Sequence, residues 1–346
     1  MTRRVAVIPG DGIGPEVIRE AVAVLRALRV PLELAKFDYG AERWLRGGGG
    51  IEDQQFVDFA ENYAAILFGA VGDPRIPDQA HARQILLGLR TRLDLYINLR
   101  PARLLDERLC PLKDKRAVDV DFVIFRENTE GLYAGLGGVF KRGTADEVTI
   151  EASLSTRKGV ERILRAAFEY ARRPDRRRRV CMVDKSNALA SEGDLWQRTF
   201  RELARVYSDV NASHLYVDAA AMQIVRAPEK LDVVVTGNLF GDILTDLGAA
   251  VAGGLGLAPS ANLHPGRCSL FEPVHGSAPD LVGRGVANPL GAILAAGLLL
   301  EHLGLPAEAA RVDAAVRRAL GDDATTPDLG GRLGTVEVGQ FVRRHL

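Results

Sequence analysis

Residues 232–246 read DVVVTGNLFGDILTD: the run Asp232 to Val235 has the composition of a strand, and NLFGDILTD (238–246) follows it with the spacing of a helix. A strand handing over to a helix is the repeating unit of an α/β fold. Further short β-branched runs stand at Val5 to Ile8, Ile66 to Phe68, Phe122 to Phe125 and Val180 to Val183, with helical stretches between them. After the first run, Pro15 and Glu16 suit a helix first turn, and Ile18, Val22 and Leu25 continue at helical spacing. Within Thr156 to Arg172, Val160, Ile163, Leu164 and Ala167 form one apolar stripe. Gly47 to Gly50 and the basic run Arg176 to Arg179 read as solvated connections.

A chain of 346 residues, 47% hydrophobic, buries a large core and predicts two domains. Lys plus Arg equals Asp plus Glu at 45 each, so no overall field draws nucleic acid or a membrane, and an anionic ligand must be held by local charge. Cys110, Cys181 and Cys268 are far apart and without CxxC spacing, which predicts buried free thiols rather than disulfides or a thiolate metal site. The opening MTRRVAVIPGDGIG turns glycine-rich too early for a signal peptide, and no stretch approaches the roughly eighteen apolar residues of a membrane span. A cytoplasmic enzyme is the expectation.

If the chain is helical from Gly241, Asp242 and Asp246 share one face at i,i+4 spacing. Such carboxylates repel; they are either solvated or shared by a hard divalent cation such as Mg²⁺ or Mn²⁺. The apolar neighbours Ile243, Leu244 and Leu247 favour the cation. Arg90, Arg100 and Arg126 stand in otherwise apolar stretches and suit a di- or tri-anionic acid, since guanidinium pairs with carboxylate. Asp94 and Glu127 are their alternative partners in simple salt bridges. The turn Gly10 to Pro15 follows a strand and opens a helix, but its glycines run GxGxG rather than GxGxxG. A Rossmann fingerprint is therefore absent, and the turn is either a tight connection or a set of amides facing a ligand. A second loop, Glu272 to Asp280 with Gly283 to Pro289, has the composition to wrap a cofactor. Asp280 there suits ribose hydroxyls and would repel a 2′-phosphate, the logic of NAD over NADP. Lys185, in a loop just after a strand, is a surface lysine or a base whose pKa a nearby cation lowers.

Together these motifs resemble the β-decarboxylating dehydrogenases that act on 3-isopropylmalate, isocitrate, homoisocitrate and tartrate or D-malate. The resemblance spans nearly the whole chain, through GDGIGPEV (10–17), LRPAR (99–103), FRENTEGLY (125–133), DKSN (184–187), NLFGDILTD (238–246), GLAPSAN (256–262), FEPVHGSAPD (271–280) and VANP (286–289). It implies a non-Rossmann α/β fold of two domains with a cleft between them. Residues 1–98 and 252–346 would form the first domain, with most cofactor contacts. Residues 99–251 would form the second, with the metal site and dimer interface. The same resemblance implies Asp242 and Asp246 as metal ligands, joined by Asp218 of a second subunit, which also faces the substrate. Arg90, Arg100 and Arg126 would hold substrate carboxylates. Lys185, also from the second subunit, would be the base, and Tyr133 would protonate the enolate. NAD would lie against Ile13, His275, Gly276, Ser277, Ala278, Asp280, Leu281 and Asn288. A homodimer with shared active sites follows.

Leu86 and Leu87 match the apolar positions facing the isopropyl group in isopropylmalate enzymes, where isocitrate and homoisocitrate enzymes carry polar or basic residues. Arg83 and Gln84 are the polar residues just upstream. VDAAAMQIVR (217–226) is also similar to isopropylmalate enzymes, whereas RENTEGLY is unlike the form many of them carry, and CPLKDK (110–115) with NLFGDILTDLG is similar to D-malate and tartrate enzymes, which can also carry paired leucines. The expected substrate is 3-isopropylmalate, with D-malate or tartrate as the alternative, then homoisocitrate or isocitrate. A noncatalytic regulatory chain is the least expected reading, because the matched ligand positions are intact.

Overall fold

A computed structural model describes residues 2–346. Its main sheet has ten strands: β2 (Leu32–Lys36), β1 (Arg3–Gly10), β3 (Ala65–Ala70), β12 (Ser269–Pro273), β11 (Pro259–Leu263), β4 (Ile97–Arg103), β5 (Asp121–Glu127), β10 (Val233–Thr236), β8 (Arg179–Asp184) and β9 (Asn211–Tyr216), in spatial order. The outer sets β2-β1-β3-β12 and β5-β10-β8-β9 are parallel, whereas β12-β11, β11-β4 and β4-β5 are antiparallel. Three successive reversals leave the two parallel sets running in opposite directions. This mixed sheet is not the Rossmann order.

Strand alternation sorts the central side chains by face. Ile97 and Leu99 of β4, Phe125 of β5 and Phe271 of β12 join one continuous core with the helices Gly14–Ala27, Arg157–Ala171, Ala190–Val206, Leu290–His302 and Pro306–Gly321. Helix Leu290–His302 packs over β11 and β12 and is apolar nearly all round, as burial on most sides requires. Helix Arg157–Ala171 is capped by Thr156, whose side chain accepts from Gly159 N at 3.0 Å, and buries Val160, Ile163, Leu164 and Ala167.

The opposite face carries two separate clusters. One gathers Phe56, Phe59, Ile85 and Leu89; the other gathers Phe122, Ile124, Ile224 and Leu244. Between them the antiparallel centre presents Arg100, Arg126 and Glu272, the polar alternates of β4, β5 and β12. A gap between two cores, floored by charged side chains, is where this fold opens a cleft.

The remaining strands, β6 (Gly131–Phe140) and β7 (Val148–Leu154), pair only with each other among the described residues. This arm exposes Leu136, Val139, Phe140, Val148, Ile150 and Leu154. Cys181 and Cys268 are buried free thiols, as expected, while Cys110 is half-buried. Among the described residues no helix is long and apolar enough to cross a membrane.

The basic run at 176–179 is the connection its composition predicts, with Arg177, Arg178 and Arg179 exposed, and its backbone also serves a buried group. It wraps the fully buried Asp232: the backbone amides of Arg177 and Arg179 donate to Asp232 Oδ2 at 2.9 and 3.0 Å, and the Arg176 guanidinium lies 3.7 Å from Oδ1. A buried carboxylate needs such partners, and they come from the residues nearest in space. In the glycine connection Gly47 and Gly48 are exposed as predicted, whereas Gly50 is buried against Gln84.

Candidate active site

A cavity of about 380 Å³ opens at the gap, lined by Leu86, Leu87, Arg90, Arg100, Arg126, Tyr133, Asp242, Glu272, His275 and Gly276. β10 ends at Thr236, and the helix Asn238–Val251 starts two residues later, so Asp242 and Asp246 stand one turn apart. Arg100 meets both, its Nη1 lying 3.8 Å from Asp242 and 3.6 Å from Asp246 and donating to Thr245 Oγ1 at 2.7 Å. Arg126 runs across the same helix where Gly241 lacks a side chain; a Cβ there would stand 2.5 Å from Arg126 Cγ. That passage lets Arg126 pair with Asp242 and donate from Nε to Asn238 Oδ1 at 2.9 Å. Tyr133, at the base of the exposed arm, donates to Asp242 Oδ2 at 2.8 Å. Arg90 comes from the opposite wall and donates to Glu272 Oε1 at 3.1 Å.

Three guanidinium groups and three carboxylates, those of Asp242, Asp246 and Glu272, meet here, and burial perturbs both sets. Burial, reinforced by Arg90 and Arg100, lowers the Arg126 pKa to about 10. Arg100 is lowered too, by burial and then by Arg90. The Nε groups of Arg90 and Arg100 are buried without a hydrogen-bond partner. Unpaired guanidinium N–H groups in a cleft call for an anionic acceptor, and a carboxylate matches their geometry. Burial opposes ionisation of Asp242, but Arg126, the Tyr133 hydrogen bond and Arg100 hold its pKa below the usual carboxylate range. Asp246 moves the other way, raised by burial and by repulsion from Asp242.

Leu86 and Leu87 face the cavity from the helical segment 80–92, which widens into a π turn over Arg83–Leu87. Such turns recur at functional sites, and nothing in the spacing of the sequence announces this one. The simple salt-bridge partners expected for the arginines are not used. Asp94 pairs instead with Arg162 at 2.8 Å, and Glu127 accepts from the amides of Thr129 and Glu130. Glu272, Asn238 and Thr245 do that work and were not singled out from the sequence. A lone acid alternating with Phe271, on the face that also carries Leu270 of a buried strand, was the signal available for Glu272.

The two glycine-rich loops meet. Ile13 N donates to Ser277 O at 2.9 Å, and a Cβ on Gly12 would stand 1.9 Å from that oxygen. Ala278 adopts φ +39°, a left-handed conformation. His275 donates from Nδ1 to Gly276 O at 3.0 Å, burial lowers its pKa, and its Nε2 is buried without a partner. Gly276 and Asp280 are exposed beside it, and Leu281 packs on the core. The Asn288 side chain accepts from Leu290 N at 2.9 Å and donates to Asp328 at 3.0 Å.

Lys185 and Asp218 are brought together at 2.8 Å, but not into this cavity. Among the described residues no third His, Cys, Asp or Glu joins Asp242 and Asp246 to complete a metal-binding group.

Residues 4–342 match the isocitrate/isopropylmalate dehydrogenase family. The chain is 49% identical to the 3-isopropylmalate dehydrogenase of Frankia casuarinae, with 93% of each chain covered. It is 47% identical to that of Corynebacterium jeikeium, with 99% of each covered. Among solved structures, the isocitrate dehydrogenase of Methylococcus capsulatus superimposes with a TM-score of 0.90 at 37% identity over 99% of both chains. The mixed sheet and its charged cleft are thus those of a decarboxylating dehydrogenase fold, and this chain belongs to the isocitrate/isopropylmalate dehydrogenase family.

Proposed function

We propose that this chain is a cytoplasmic, homodimeric 3-isopropylmalate dehydrogenase that uses NAD and Mg²⁺ or Mn²⁺. One observation carries the substrate: Leu86 and Leu87 form an apolar wall of the same cavity into which Arg90, Arg100 and Arg126 converge. A malate core presents two carboxylates to the arginines, and a branched alkyl substituent meets the leucines. A third substrate carboxylate at that wall would be buried against carbon without a partner. The names of the 3-isopropylmalate dehydrogenases at 47–49% identity support the same reading.

The residues present fit both cofactors. Asp242 and Asp246 are hard oxygen donors on one helix face, suited to Mg²⁺ or Mn²⁺, and Asp218 of the partner subunit would supply the missing third carboxylate. The junction of turn 10–14 with loop 275–281 offers close backbone, open space at Gly276 and an unpaired His275 Nε2 to NAD. NAD held there would supply the hydride acceptor, and a cation held by Asp242 and Asp246 would supply the positive charge that ketone formation and loss of CO₂ require. Arg90, Arg100 and Arg126 orient the acid. Lys185 of the partner subunit removes the proton of the 2-hydroxyl, directly or through water. Tyr133, whose hydroxyl already reaches Asp242, delivers a proton to the enolate carbon.

The exposed apolar arm β6–β7 supports the dimer, because a two-stranded ribbon with that much exposed carbon is stable only when covered. For the domains we propose 1–98 with 252–346, and 99–251. In support, the sheet then divides at the antiparallel seam between β11 and β4, and the chain crosses near the start of β4 and at the end of helix Asn238–Val251. The test is NADH formation on a panel of 3-isopropylmalate, D-malate, tartrate, isocitrate and homoisocitrate, with and without chelator. The reading fails if 3-isopropylmalate is not turned over, or if activity persists after bound metal is stripped.

A further inference from the structure

Asp11, in the turn between β1 and helix Gly14–Ala27, is 6% exposed and ties three other segments together. Its Oδ1 accepts from Ala41 N at 2.6 Å; its Oδ2 accepts from Gly72 N at 2.9 Å and from His81 Nε2 at 3.1 Å. Backbone closes around the carboxylate, for a Cβ on Gly40 would stand 2.6 Å from Oδ1. His81 is fully buried, and its Nδ1 has no partner, so Asp11 is the ring's sole hydrogen-bond partner. His81 lies at the start of the segment 80–92 that carries Leu86, Leu87 and Arg90. Asp11 sits beside Gly12 and Ile13, which contact Ser277, and Gly72 follows Ala70 and Val71 of the cavity wall. Among the described residues, Asp11–His81 is the one side-chain hydrogen bond joining turn 10–14 to segment 80–92.

We propose that Asp11 and His81 are a positioning pair that fixes the cofactor turn relative to the wall that holds the substrate, and so sets the distance across which hydride moves. This rests on the reading of the two walls given under Proposed function. Neither residue lines the cavity, so neither acts on the substrate directly. A buried carboxylate and a buried imidazole each cost free energy when left unpaired, so the bond holds its two segments in one register. Hydride transfer is sensitive to such registers, a displacement of about 1 Å being enough to lower a rate on the order of 100-fold.

The experiment compares His81→Leu with His81→Gln in the full-length enzyme with its cofactors, using whichever acid of the panel the wild type turns over best, deuterated at the carbon that bears the hydroxyl. Glutamine can still donate to Asp11; leucine cannot. The expected result for His81→Leu is a kcat lowered by about tenfold or more, with an enlarged primary deuterium isotope effect. His81→Gln should recover most of the rate and return the isotope effect toward wild type. A folded His81→Leu with wild-type kcat and isotope effect overturns the proposal. So does equal loss in both variants, explained by the folded fraction alone. If His81→Leu does not fold, Asp11→Asn reads the same quantities: it keeps the volume and the acceptor for Ala41 N while removing the Oδ2 acceptor that serves both Gly72 N and His81 Nε2. Failure of 3-isopropylmalate as substrate would count against the proposed function, whereas an unchanged isotope effect on the best acid counts against the pair.

Discussion

Lys185 and Asp218 face each other at 2.8 Å, from the end of β8 and the first turn of helix Val217–Arg226, and neither reaches the cavity that holds Asp242. If Lys185 is the base and Asp218 the third metal ligand, as proposed, their pairing away from the cavity requires a second chain to complete the site. Lys185→Ala and Asp242→Asn should each be nearly inactive alone. Refolded together, mixed dimers place both defects in one site and leave the other intact, so activity should return. Demonstrated heterodimers without recovery would exclude a shared site.

Gly241 governs where Arg126 lies, since a Cβ there would stand 2.5 Å from Arg126 Cγ. The same Cβ would stand 2.6 Å from Arg126 Cβ, which no side-chain rotation relieves, so Gly241→Ala should push helix Asn238–Val251 off β5 and carry the guanidinium with it. We expect kcat/KM to fall on the order of 100-fold, together with a lowered thermal midpoint. Unchanged kinetics would remove Arg126 from the substrate site.

Much of this site was legible because its parts are local patterns. The i,i+4 pair Asp242 and Asp246, the strand ahead of it and the GxGxG turn are each set by neighbours in sequence, and the structure places them accordingly. What was missed depends on pairing across the chain. Glu272 as the partner of Arg90 arises from the β12-β11-β4 order, and Asp232 as the anchor of the 176–179 run arises from β10 lying between β5 and β8. Neither sequence separation nor composition encodes those meetings. The π turn at Arg83–Leu87 leaves no mark in the residue pattern of that segment.

Asp280, exposed in the loop that abuts the Ile13 turn, sets the expectation for cofactor choice. NAD should give the higher kcat/KM, because a 2′-phosphate would lie against a carboxylate. Asp280→Asn should relax the preference by about tenfold or more, as expected for removing one close like-charge contact near a protein surface. A wild-type preference for NADP in parallel initial-rate measurements would refute this role.

The apolar wall is the center of the account, and substrate selection tests it most directly. Burying the three carbons of the isopropyl group against Leu86 and Leu87 contributes about 2.4 kcal/mol at roughly 0.8 kcal/mol per carbon, a preference over D-malate on the order of 60-fold in kcat/KM. Leu87→Arg should abolish that preference, because a buried cation would face an alkyl group that offers it no partner. The deciding measurement is kcat/KM for 3-isopropylmalate against D-malate and tartrate, on wild type and Leu87→Arg side by side. The account predicts 3-isopropylmalate far ahead in the wild type and the gap closed in the variant; D-malate or tartrate ahead in the wild type would contradict it.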